Sequence, residues 1–458
     1  MDSDSISNFD SHSIGKKMTE LMKILFPIPR SITGNGVRDT LKIIQKYINL
    51  EISEIPSGTK VFDWIVPEEW NIKDAYIMNS NNEKIIDFKK SNLHILQYSI
   101  PKKTKISFEE LKKHIFTLPN QPNAIPYVTS FYSKNWGFCM THNEFLKLKN
   151  DEYFVLIDSS HTNGSLTYGE YLIKGKSENE ILISTYVCHP SLCNDNLSGL
   201  VLCSILAEYL SHFDLYYSIR FLFIPETIGA ITWLSLNENI VNNISHGLVA
   251  TCLGDSGIST YKKSRNGNNT IDEVVELVLK ESGEPYKILD FWPSGSDERQ
   301  FCSPGFNLPM GSLMRTPYDM FEQYHTSLDN LAFMNEACLV NSFFKYVKII
   351  EKLNKNYQDT HIRSNTFLKN KKSIDGDPVF LNLFPKCEPQ LGKRGLYNNQ
   401  GGIKGQEILI QKKAIAWLLN FSDGKHSLKD IEKKSGLDYN ILYDASNILI
   451  ENKLIIKL

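Results

Sequence analysis

Cys188-His189-Pro190-Ser191-Leu192-Cys193-Asn194-Asp195-Asn196-Leu197-Ser198-Gly199 follows the apolar run Ile181-Leu182-Ile183-Ser184-Thr185-Tyr186-Val187 and precedes an amphipathic helical pattern. A run this apolar and this short reads as a buried strand, which delivers a histidine and an aspartate to its carboxyl end. In open α/β sheets ligands collect at that end, and an imidazole with a carboxylate on one turn is half of a zinc site. Two downstream segments offer the other half. Glu226 ends the strand-like run Tyr217-Ser218-Ile219-Arg220-Phe221-Leu222-Phe223-Ile224-Pro225, and His325 sits in Glu322-Gln323-Tyr324-His325-Thr326-Ser327-Leu328-Asp329-Asn330. Together they describe a metallohydrolase centre.

Around this stretch the chain alternates strands with helices: strand 181–188, helix 198–212, strand 217–225, helix 227–237, strand 247–253, helix 270–282 and helix 330–353. Such alternation predicts an α/β fold, a sheet flanked by helices on both faces. Two helices precede it within residues 15–50, broken at Pro27-Ile28-Pro29. Between them and the core, residues 66–135 alternate apolar with polar side chains and are rich in aromatics, which predicts a small inserted β-rich domain. The catalytic domain is thus discontinuous, 15–65 and 136–355. Residues 355–404 have the Asn, Lys, Gly and Pro content of a connector. Beyond it three short helices, Glu407–Leu419, Ser427–Ser435 and Ile441–Asn452, and a terminal strand predict a winged-helix-like module within 385–458.

At 458 residues, 41% of them hydrophobic, the chain can bury several cores, and a net charge of −2 argues against a general electrostatic role on nucleic acid or anionic membrane. Its eight cysteines are scattered, as free thiols in a reducing, cytoplasmic setting are. No window has the length of a membrane span.

His189, Asp195 and His325 are the candidate zinc ligands, and Glu226 is the candidate general base, since a carboxylate ending a buried strand needs a partner or a cation. Asp255 closes another strand-like run. It is read as orienting His189, with a turn cap or a second metal site as alternatives. In the polar island Gly295-Ser296-Asp297-Glu298-Arg299-Gln300 and in Gly311-Ser312-Leu313-Met314-Arg315-Thr316-Pro317, Arg299 and Arg315 are candidates for a substrate carboxylate and Asp297 for an amine. No nucleophile elbow or phosphate loop is present.

With these residues assembled, the chain resembles the zinc aminopeptidase and glutaminyl cyclase clan. Asn194-Asp195-Asn196-Leu197-Ser198-Gly199, Pro225-Glu226-Thr227-Ile228-Gly229-Ala230, Ser296-Asp297 and Tyr324-His325-Thr326-Ser327-Leu328-Asp329 carry the resemblance. More narrowly, it is similar to a bacterial family with an aminopeptidase-like domain, an inserted small domain and a C-terminal winged helix, whose members accompany surface polysaccharide biosynthesis. Gln390-Leu391-Gly392-Lys393-Arg394-Gly395 is specific to that family. The resemblance implies a zinc-peptidase-like mixed sheet, Tyr324 at the substrate, and metal-assisted amide hydrolysis with Glu226 moving the proton. The clan's two-metal members carry a second Glu after the catalytic one, where this chain has Thr227. One zinc per chain is therefore expected, with a second site involving Asp255 held in reserve.

The expected substrate is a small peptide, an aminoacyl group or a glycan-linked amide, and a deacylase of an N-acyl sugar is the nearest rival. A DNA-binding regulator and a pseudoenzyme are readings of another class. The helix Ser427–Ser435 balances Lys429, Lys433 and Lys434 with Asp430 and Glu432, a poor recognition surface for DNA. The terminal module is read instead as covering part of the cleft, mediating protein contacts or supporting a homo-oligomer.

Overall fold

The computed structural model describes residues 10–355, 376–396 and 406–458. At its centre is an eight-stranded mixed sheet. Four parallel strands form the middle, in spatial order Tyr217–Ile224, Ser177–Tyr186, Ile244–Ala250 and Met310–Met314. Both faces of a parallel sheet are covered, so its strands are apolar without alternation. Tyr217–Ile224 is buried at every residue. Neighbouring side chains nevertheless serve different cores: Leu182 and Leu222 face one, Ile183 and Phe221 the other, as a two-residue period requires.

The strands flanking this middle are antiparallel to it. Ser165–Ile173 and then Glu51–Pro56 extend the sheet on one side. On the other side Ser259–Lys262 runs antiparallel to Met310–Met314, and Tyr286–Leu289 closes the edge. The first helix behind the site, Ser198–Leu210, was expected to be amphipathic, yet every residue except Glu208 is buried. Helices Ser11–Leu25 and Glu336–Lys355 share its core and cover its outer side. Gly199 opens this helix because a Cβ there would lie 2.2 Å from the carbonyl oxygen of Ala250. Helix Glu336–Lys355 starts later than the expected residue 330, since Asn330 and Asn335 form turns with Ala332 and Cys338.

A second sheet has four antiparallel strands in the order Lys84–Asp87, Glu69–Met78, Glu152–Thr162, Lys102–Ser107. It extends past residue 135, where the insert was expected to end. The reason is the two-residue burial period of Glu152–Thr162, in which Tyr153, Val155, Ile157 and Ser159 are buried. The chain then passes directly into Ser165–Ile173 of the central sheet.

The last module joins strands Val379–Asn382, Asp423–Ser427 and Ile455–Lys457 to helices Gln406–Phe421, Leu428–Ser435 and Tyr439–Glu451. It is docked on the central α/β domain. Buried Arg265 donates to Asn420 Oδ1 at 2.8 Å and to Asp423 Oδ2 at 2.6 Å. The Gln390–Gly395 segment meets Asp63, whose carboxylate accepts from the Gln390 amide, Lys393 and Arg394. Most of the expected 355–404 connector lies outside the described residues. All eight cysteines are free. Among the described residues no helix is long and apolar enough to cross a membrane.

Candidate metal centre

His189 follows the strand Ser177–Tyr186, and its backbone carbonyl accepts from Arg30 Nε at 2.9 Å. Burial lowers the pKa of Arg30 to about 10, still well above neutral pH, so the carbonyl faces a cation. Six residues on, Asp195 sits in a turn fixed from outside. Asp329 accepts the backbone N–H groups of Asn194 at 2.6 Å and Asp195 at 2.9 Å. Asp195 Oδ1 accepts from the Tyr186 hydroxyl, which lies 2.6 Å from Thr251 Oγ1.

The other carboxylate oxygen, Asp195 Oδ2, is buried and has no hydrogen-bond partner, and neither has His325 Nε2. These two atoms stand 3.1 Å apart, and His189 Nε2 is 3.8 Å from Oδ2. All three ligand atoms fall within 4.8 Å of one another. Unpartnered buried polar atoms are costly unless a cation binds them. Zinc bonds of about 2.0–2.2 Å to N and O ligands suit this separation. Burial lowers the His189 pKa to about 4 against the pull of Asp195, so the ring is neutral and offers a lone pair. Burial alone would raise Asp195, but the two histidines and the Tyr186 hydroxyl hold it below the usual carboxylate range. One anion and two imidazoles are a donor set that fits zinc.

His325 reaches the cluster from a loop gripped by the insert. Its carbonyl accepts from the Tyr127 amide at 2.8 Å, while Ile125 and Ser327 exchange hydrogen bonds at 2.9 and 3.0 Å. Its ring stacks on Tyr324 with centroids 3.9 Å apart, and Tyr127 stands edge-on at 5.1 Å.

Glu226 lies two residues past the strand Tyr217–Ile224, and its Oε2 is 3.7 Å from His189 Nε2. Its side chain keeps 23% of its surface open. Burial first, then the carboxylates of Asp297 and Asp195, push its pKa well above the ordinary value, with Arg299 opposing. The following residue, Thr227, has φ +63° and ψ −75°, a strained conformation for a β-branched side chain. Two contacts hold it: Asp297 Oδ1 accepts its amide at 2.6 Å, and Arg299 Nη2 donates to its hydroxyl at 2.9 Å. Cys188 shares a second cluster with His189 and Glu226. Burial and the Glu226 carboxylate keep its thiol protonated, and Cys188 Sγ accepts the Glu226 amide at 3.3 Å.

The structure therefore brings His189, Asp195, His325, Glu226 and Tyr324 together, with Asp297 and Arg299 beneath Thr227. Asp297 is fully buried, and burial raises it to about 7; its Oδ1 supports the turn, while its Oδ2 has no hydrogen-bond partner among the described residues. Arg315 is elsewhere: its guanidinium donates to Cys338 O and Asn341 Oδ1 on helix Glu336–Lys355. Asp255 is occupied differently from the reading that had it orient His189 or hold a second metal. Both its oxygens accept from Asn194, Gly257 and Thr316, so it ties a turn to the Asp195 segment. What lies against His189 Nδ1 is Cys188 Sγ, at 3.5 Å. Sequence reasoning left Arg30, Tyr127, Tyr186 and Asp329 without roles. Tyr186 and Asp329 stood inside the quoted motifs; Arg30 and Tyr127 act through distant pairings that no local pattern announces.

A cavity of about 600 Å³ opens from Tyr324 and His325. Trp292, Arg299 and Glu388 border it, and Lys413 and Trp417 close it from the last module.

A family model described as a domain of unknown function (DUF4910) matches residues 19–356, and a winged helix-turn-helix model matches residues 378–457. A Clostridium acetobutylicum protein, provisionally named a polysaccharide biosynthesis protein with an aminopeptidase-like domain, is 51% identical over 446 residues, covering 97% of each chain. A crystal structure from Clostridium acetobutylicum, of a protein provisionally called a peptidase, matches with a TM-score of 0.74 and 50% identity over 98% of this chain and 97% of that one. A zinc aminopeptidase from Bacillus subtilis shares the fold, with a TM-score of 0.57 at 11% identity over 75% of this chain and 95% of its own. The chain thus belongs to the DUF4910 family, as a member that couples an aminopeptidase-like α/β domain to a winged helix-turn-helix.

Proposed function

We propose that this protein is a cytoplasmic, zinc-dependent amide hydrolase of aminopeptidase type, with one zinc held by His189, Asp195 and His325. The observation that carries the reading is the pair of buried, unpartnered atoms Asp195 Oδ2 and His325 Nε2, converging beside a carboxyl raised in pKa. A zinc ion bound there supplies Lewis acidity toward a carbonyl and lowers the pKa of water. Glu226 Oε2 takes the proton of the attacking water and returns it to the leaving amine. A raised pKa suits both roles, because the carboxylate is a better base and the carboxylic acid is formed readily. Tyr186 and Asp329 keep Asp195 aimed, and Tyr324 and Tyr127 fix the His325 ring.

A single metal is supported by what stands beside Glu226. Where a second carboxylate would be needed, Thr227 offers a hydroxyl, already accepting from the Arg299 guanidinium. A cation in that place opposes a second dication. The substrate is a peptide, an aminoacyl group or a glycan-linked amide. The Clostridium relative's name favours the last, and with it the rival reading of a sugar deacylase. We further assign catalysis to the central α/β domain, with the strand Glu152–Thr162 counted to the insert, and give the insert a supporting role at His325.

Zinc content and release of free amine from a panel of aminoacyl-arylamides and N-acyl sugars, in wild type and Glu226→Gln, test the reading. One zinc per chain in both proteins is expected, with turnover at least about 100-fold lower in the variant. Two tightly held zincs, or near-normal turnover in Glu226→Gln, would overturn it.

A further inference from the structure

The winged helix-turn-helix has a surface but no evident use for it as a DNA reader. Its third helix, Tyr439–Glu451, which would enter a groove, contains Asp444 and Glu451 and no Lys or Arg. Its first helix, Gln406–Phe421, is turned inward, and Lys413 and Trp417 line the cavity that opens from His325. Placement there is fixed, because Arg265 locks the end of that helix through Asn420 and Asp423.

The cavity has the volume of a small-molecule site, and it exceeds what one aminoacyl side chain fills. Its lining mixes the half-buried Trp292 and the largely buried Trp417 with Arg299, Glu388 and Lys413. Flat apolar rings serve one face of a pyranose, whose C–H groups are apolar, while donors and acceptors at the margin serve its equatorial hydroxyls. A pocket for peptide side chains needs no such alternation.

We propose that the winged helix-turn-helix is the substrate-recognition wall of the metal site, and that Trp417 and Lys413 hold the ring of a sugar whose amide lies at His325. The inference rests on the amide-hydrolase reading only for the position of the amide. Ring binding is measured without turnover, so the two can fail separately.

The experiment is calorimetric titration of the full-length Glu226→Gln protein with chitobiose, cellobiose and the dipeptide Ala-Ala, repeated after adding Lys413→Ala or Trp417→Leu. At least one disaccharide is expected to bind at millimolar concentration or better. Lys413→Ala should weaken it threefold or more and Trp417→Leu fivefold or more, while Ala-Ala binds less tightly and responds to neither. Lys413 is exposed, so its variant remains informative if Trp417→Leu does not fold. Disaccharide affinity unchanged in folded Lys413→Ala, absence of disaccharide binding, or equal sensitivity of Ala-Ala binding would each overturn the proposal. A loss of zinc with sugar binding intact would instead remove the hydrolase reading and leave the recognition wall.

Discussion

Asp195 serves the site through an oxygen that has no protein partner, and its other oxygen is what keeps that one aimed. The Tyr186 hydroxyl is therefore a positioning group, and outer-shell donors of this kind are worth about 10–100-fold in metal affinity. Tyr186→Phe should weaken zinc binding by that factor in a chelator competition; unchanged affinity would remove Tyr186 from the role. Arg299 acts on Glu226 through charge. It is the cation that opposes the raised pKa, so Arg299→Gln should raise the pKa further. A base must be deprotonated to work, and the acid limb of the kcat/KM profile should move to higher pH in the variant. Movement to lower pH would mean that Arg299 acts otherwise. Among the candidate ligands His189 stands out at this scale because it follows an apolar run, whereas His325 lies in a polar loop and is marked only by its motif. Asp297 was legible only in part: its motif marked it out, but its full burial and its bond to the Thr227 amide depend on a turn that no sequence pattern encodes.

At the scale of elements, the parallel strands could be read directly, since burial on both faces leaves continuous apolar runs. The antiparallel edges could not. Glu51–Pro56 is a largely open strand and Ser165–Ile173 a partly buried one, and their mutual pairing joins residues more than 100 apart in sequence. The last module shows the opposite case, in which local chemistry dictates the element. Ser427 and Asp430 form a reciprocal capping box, and Gly436 ends the helix Leu428–Ser435 in a left-handed conformation. Ser427→Ala should cost about 1 kcal/mol and speed amide exchange through that helix; exchange as slow as in the wild type would contradict the cap. Ser327 belongs at this scale too, because its hydroxyl joins the insert to the His325 loop. Ser327→Ala should lower zinc affinity several-fold in the same chelator assay and leave the fold intact by circular dichroism. An unaltered affinity would show that the two backbone contacts, Tyr127 to His325 and Ser327 to Ile125, suffice.

Across the whole molecule, three modules converge on His325: the central sheet places His189, Asp195 and Glu226 beside it, the insert steadies its loop, and the winged module lines the cavity that opens from it. The alternation of strands and helices made the first legible, and composition made the others visible as separate pieces. Their convergence was not, because buried contacts such as Arg265 with Asp423 and Asp63 with Arg394 join residues far apart in the chain. Arg265→Ala should therefore free the helix Gln406–Phe421, seen as faster amide exchange there, since breaking a buried pair costs about 3–5 kcal/mol. In a gel-shift assay at low salt the wild type should leave duplex DNA unretarded, and a retarded band would restore the regulator reading. The hydrogen bonds between residues 125–127 and 325–327 have one more consequence. Excising the insert would leave the His325 loop without the contacts that hold it, so on the proposed reading this fold is not divisible into a portable catalyst and an ornament.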